Sequence, residues 1–68
     1  MYIKFRSLSY DSETETTQRV RSVDVHTGYF GNEIKVYWVY DPYFETLTWV
    51  EEDDVIDFFN DRMEPVLP

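Results

Sequence analysis

Residues 33–40, Glu-Ile-Lys-Val-Tyr-Trp-Val-Tyr, place six β-branched or aromatic side chains in eight positions with no glycine or proline. Side chains of this kind fit a pleated, half-buried surface and disfavour most alternatives. The segment reads as the strongest strand of the chain, with Ile34, Val36, Trp38 and Tyr40 on one face. Asp41-Pro42-Tyr43-Phe44 follows it, with Asp at the first turn position and Pro at the second, as in a type I turn. A further strand over 45–50 then carries Leu47 and Trp49 on a common face. The chain must therefore build at least an antiparallel hairpin, and a hairpin needs more strands to be stable.

The flanking sequence supplies them. Residues 2–8 alternate, with Ile3 and Phe5 one way and Tyr2, Lys4 and Arg6 the other, the period of a half-buried strand. Residues 11–18 hold no apolar side chain and read as a solvated connection. Residues 19–26 read as the next strand. Val23 and Val25 share a face there, while Val20 falls out of phase, and a bulge near Arg21-Ser22 restores the register. The Thr27–Asn32 stretch is a turn in which Gly28 and Gly31 are free to take positive φ. Tyr29 and Phe30 stand at its tip, where one ring is expected to fold back as a plug.

After residue 50 the period changes. Val55, Ile56, Phe59 and Met63 recur at three and four residues, which predicts a helix over about 53–63. Glu51, Glu52, Asp53 and Asp54 stand before it, suited to a helix start, and Pro65 ends it. The expected fold class is α+β: an antiparallel meander of about four strands followed by one C-terminal helix. A partly closed SH3-like barrel is the competing shape. With 68 residues the chain is a single domain, residues 1–68. A chain so short depends on disulfides, metals or an unusually good core. It has no cysteine and one histidine. The five Phe, six Tyr and two Trp are what remains to supply burial.

The same inventory narrows the chemistry. The absence of cysteine fits a reducing cytoplasmic setting. No apolar run approaches a membrane span, and the N-terminal segment lacks the apolar stretch of a signal peptide. Asp24 and His26 share a strand face within hydrogen-bonding reach, but no Cys or Gly-x-Ser-x-Gly nucleophile accompanies them. No enzyme activity and no cofactor are expected. The carboxylates at 51–54 lack the alternating ligands and glycine of a calcium loop, so no metal is expected either.

Charge is the more informative feature. Residues 1–35 carry Lys4, Arg6, Arg19, Arg21 and Lys35 against Asp11, Glu13, Glu15, Asp24 and Glu33, and sum to zero. Residues 36–68 carry nine acidic residues against Arg62 alone, so the net charge of −8 comes entirely from this half. On the expected helix, Asp53, Asp57 and Asp61 form one row about 6 Å apart. Such a row imitates a phosphate track, and Asp11, Glu13 and Glu15 repeat at a similar spacing if extended. The functional expectation is an inhibitory or regulatory protein-binding domain acting by nucleic-acid mimicry on a basic, nucleic-acid-binding partner protein. Glu52, Asp53, Asp54, Asp57, Asp61 and Glu64 are its candidate partner-binding residues, acting through charge. Small acidic virus-encoded inhibitors share this composition. Two other classes remain open: an assembly subunit, such as a homodimer, joined through exposed aromatics, and a small barrel binding peptide or single-stranded nucleic acid on a basic sheet face. The last requires the strands bearing Lys4, Arg6, Arg19, Arg21 and Lys35 to be neighbours, with Tyr2 and Tyr37 among them.

Overall fold

The computed structural model describes residues 1–6 and 14–66. Among these residues, seven strands form two antiparallel sheets: β1 (Tyr2–Arg6), β2 (Glu15–Arg19), β3 (Ser22–Thr27), β4 (Glu33–Asp41), β5 (Thr46–Glu51), β6 (Asp57–Phe59) and β7 (Pro65–Val66). One sheet has the order β2-β1-β6-β7 and the other β3-β4-β5.

The expected C-terminal helix does not form, and the fold is almost entirely β rather than α+β. Residues Glu52–Asp54 make a single 3-10 turn, β6 lies where the helix was expected, and β7 follows beyond it. Tertiary pairing decides this. β6 lies against β1, with Phe58 opposite Ile3 and Asp57 opposite Lys4, and the Ile56 N–H donates to the Lys4 carbonyl at 2.8 Å. Phe58 is buried in the core while its neighbours Asp57 and Phe59 are more exposed, a period of two. A helix would also have stacked Asp53, Asp57 and Asp61 against one another. The strand avoids that repulsion.

Residues 15–18, expected as part of a solvated connection, form strand β2 together with Arg19, which was expected to begin the next strand. Thr16 and Gln18 face inward with Phe5 and Ile3 as their cross-strand partners. β2 then passes into β3 at the corner of the molecule. The Val20 N–H donates to the Met1 carbonyl of one sheet, and the next N–H, Arg21, donates to the Trp38 carbonyl of the other. Arg21 and Ser22 both stand against Trp38, since Ser22 is its register partner. Two residues against one is a β-bulge, and it lets the chain turn from one sheet to the next. Val20 packs on the core from this corner.

The core lies between the sheets. Ile3, Phe5 and Phe58 come from one sheet, and Tyr37, Val39 and Val50 from the other. The Tyr37 and Phe58 rings meet edge to face with centroids 5.5 Å apart. Tyr37, expected on a solvent face, is 3% exposed. β4 is apolar on both faces, and the second sheet covers the face of Tyr37 and Val39. The face of Ile34, Trp38 and Tyr40 is left only half covered.

The two turns of the β3-β4-β5 sheet lie at opposite ends. In the first, both tip rings stand in solvent, Tyr29 at 101% and Phe30 at 95% exposure. Neither folds back as a plug. They touch each other edge to face instead, with centroids 6.2 Å apart. In the second, Asp41 Oδ1 accepts the Tyr43 N–H at 2.9 Å and so fixes the turn its position announces.

Candidate interaction surface

The acidic residues are separated by the fold into different places. Glu51 ends β5, and Glu52, Asp53 and Asp54 make the 3-10 turn, so four consecutive carboxylates are exposed at one corner. Tyr37 ties this corner to the core. Its hydroxyl donates to Glu52 Oε2 at 3.1 Å. Burial, then the hydrogen bond and charge of Glu52, raise the Tyr37 pKa above its ordinary value. Among the described residues, Glu51, Asp53 and Asp54 make no ion pair.

The other candidates stand apart. Asp57 lies on β6, beside Lys4 on the outer face of its sheet. Asp61 sits in the β6–β7 turn, 2.6 Å from the Met1 amino group, whose hydrogen bond and charge lower its pKa. Glu64 closes the same turn: its N–H donates to Asn60 Oδ1 and its Oε1 accepts from Asn60 Nδ2. The row Asp53–Asp57–Asp61 is thus not a row, and the phosphate-like spacing goes with the helix. Asp11 and Glu13, the other proposed track, lie outside the described residues.

The basic residues do not gather on one sheet face. Lys4, Arg6 and Arg19 share the outer face of β1 and β2. Lys35 belongs to the other sheet and holds its ammonium 5.7 Å from the Tyr37 ring centroid. The platform needed for stacking bases between cations is therefore divided between two sheets. Asp24 and His26 do share a face, but Nε2 and Oδ2 are 3.9 Å apart, an ion-pair distance without a hydrogen bond. Among the described residues no group of three or more His, Asp or Glu could hold a metal ion. None of their helices is long and apolar enough to cross a membrane.

Two features escaped the sequence reading. One is a cleft of about 450 Å³ beside the acidic corner, lined by Phe5, Arg6, Asp41, Thr48, Trp49, Val50, Asp53, Asp54 and Ile56. It opens where β5 faces the end of β1. Asp41, only 1% exposed, reaches this cleft from the end of β4. The other feature is the uncovered face of β3-β4-β5. Register sets Trp38 beside Trp49, Tyr40 beside Leu47 and His26 beside Ile34. The Trp38 and Trp49 rings are 5.4 Å apart, edge to face. The His26 ring reaches Trp49 across the middle strand at 5.6 Å. Val36 lies between their rows and is fully buried. Leu47 and Trp49 stay about half exposed, at 51% and 50%. The pairing of Leu47 with Trp49 on one face was visible in the sequence. That the face looks outward depends on which side of β4 the second sheet covers.

Compared with known proteins, the chain matches no family model, no curated protein and no solved structure.

Proposed function

We propose that this chain is a non-enzymatic protein-binding domain, inhibitory or regulatory in action, that presents a carboxylate surface to a basic partner protein. One observation carries the reading: four consecutive carboxylates, Glu51 to Asp54, are exposed at one corner, and none of them makes an ion pair among the described residues. Exposed like charges in a run repel one another, and a cationic surface relieves that repulsion. Proteins that bind nucleic acid carry such surfaces, so they are the natural partner class. Recognition here acts through charge density at a corner, without imitation of a helical phosphate track.

The test is affinity capture from a cell lysate at low and high salt, followed by titration of the purified captured protein. Wild type is compared with Glu52→Gln/Asp53→Asn/Asp54→Asn. A basic partner whose affinity falls with both salt and the substitutions supports the reading, because exposed charge pairs are screened. A partner bound equally by the variant at high salt overturns it.

Self-association through aromatics is favoured by one observation, the near-complete exposure of Tyr29 and Phe30. An assembly subunit of that kind forms oligomers without a partner. Tyr29→Ser/Phe30→Ser then returns it to monomer in sedimentation.

A further inference from the structure

The open face of β3-β4-β5 combines a half-exposed aromatic centre with acidic borders. Asp24 on β3 and Glu51 on β5 are the two register partners of Val36, so a carboxylate stands at each edge of the face. The paired positions of this face hold no lysine or arginine, and Arg21 stands in the bulge at its border. Glu51 leads directly into the acidic corner. Trp49 also lines the neighbouring cleft together with Asp53 and Asp54. An aromatic centre within a charged rim is the usual plan of a protein-binding hot spot.

We propose that this face docks an arginine-bearing segment of the basic partner, with guanidinium groups laid on Trp38 and Trp49 and paired to Asp24 and Glu51. The inference rests on the reading of the chain as a binder of basic proteins, and it names the surface and the side chain used. Arginine is the residue whose planar cation both stacks on an indole and pairs with a carboxylate. A second copy fits poorly. Face-to-face pairing brings like carboxylates together, and each chain carries −8. Single-stranded nucleic acid would find rings to stack on, but carboxylates at both edges oppose its phosphates. Strand addition along β3 is hindered as well, because Asp24 Oδ1 accepts the Val25 N–H at 2.8 Å on that free edge.

The experiment is an NMR titration of the full chain with a short peptide alternating arginine and threonine. Its controls are the same peptide with citrulline for arginine, an oligothymidylate, and sedimentation of the chain alone. The expected result is saturable shifts of the Trp38 and Trp49 indole N–H signals with the arginine peptide. The citrulline peptide should bind at least roughly tenfold more weakly, the effect of losing about one charge-assisted contact. Asp24→Asn/Glu51→Gln, both exposed positions that keep the fold, should weaken binding by a similar factor. Equal binding of the citrulline peptide, shifts confined to residues off this face, oligothymidylate moving the same indole signals, or dimerisation abolished by Leu47→Arg would each overturn the proposal. If the face fails while Glu52→Gln/Asp53→Asn/Asp54→Asn still weakens capture of the basic partner, the functional reading survives with its contact surface at the corner. If capture is also unaffected, both fall.

Discussion

Tyr37→Phe removes one oxygen from the centre of the molecule and tests how the acidic corner is held. The ring is 3% exposed and packs on Phe58, and phenylalanine keeps that contact. What is lost is the hydrogen bond to Glu52 Oε2. Glu52 is exposed, so water replaces the lost donor and no carboxylate is stranded. The cost is then that of an ordinary net hydrogen bond, about 0.5–1.5 kcal/mol. For a domain of this size each kcal/mol lowers Tm by about 4–8 °C. The pH dependence is the sharper part. The folded state raises the Tyr37 pKa, so it holds that proton more tightly than the unfolded chain does. The resulting stabilisation is fully present below the ordinary tyrosine pKa of about 10. It is lost as pH rises through the higher folded value. Phenylalanine has no such proton. Urea unfolding followed by tryptophan fluorescence should show wild type more stable at neutral pH, with the gap to Tyr37→Phe shrinking on the alkaline side. A gap that stays constant through the alkaline range, or a variant already more stable at neutral pH, refutes the coupling of this hydroxyl to Glu52 and burial.

Three further outcomes test the packing. Phe5→Ala should cost about 3–5 kcal/mol, a large part of what a domain this small possesses, and leave little folded protein by circular dichroism. Leu47→Ser on the open face should change stability by less than about 0.5 kcal/mol in the same measurement. Val36→Ala should cost about 2 kcal/mol in urea unfolding, since two buried methylene equivalents are removed, even though Val36 lies on the face the second sheet does not cover. At the β3–β4 turn, Gly31 has φ of 80° with open space around it, so Gly31→Ala should lose about 1–2 kcal/mol through backbone strain alone. Gly28→Ala should also destabilise in thermal melts, because its Cβ would lie 2.5 Å from Asn32 Oδ1 and 2.9 Å from Ile34 Cδ1.

Local pattern was enough to read β1, β3, β4 and β5, because alternation and turn residues act over a few positions. The bulge at Arg21-Ser22 has a local signal too, since Val20 falls out of phase with Val23 and Val25, but it joins strands of two different sheets and does not lie within one strand over 19–26. Over residues 53–63 the spacing is ambiguous. Val55, Ile56, Phe59 and Met63 fit a helix, while Phe58 fits a strand. β-branched and aromatic residues in this stretch favour extended backbone, and the free edge of β1 supplied the partner. No local rule reveals that edge. The acidic residues followed the error. Their exposure was readable from composition, but their grouping depended on the helix, and only Glu52, Asp53 and Asp54 remain together.

The ambiguity of β4 bears most directly on function. Apolar residues occupy both of its faces, Ile34, Val36, Trp38 and Tyr40 on one and Tyr37 and Val39 on the other. Two faces cannot both be buried by a single small covering sheet. The sheet β2-β1-β6-β7 closes over Tyr37 and Val39, whose side chains complete a core with Ile3, Phe5 and Phe58. The larger rings are left on the other face, where Val36 is nonetheless buried. Placing two tryptophans there costs solubility that the carboxylates at 24 and 51–54 restore. A chain under pressure for stability alone would bury its tryptophans and expose its small residues. Here both tryptophans stand on the open face near exposed carboxylates, and the core is built from Ile3, Phe5, Tyr37, Val39, Val50 and Phe58.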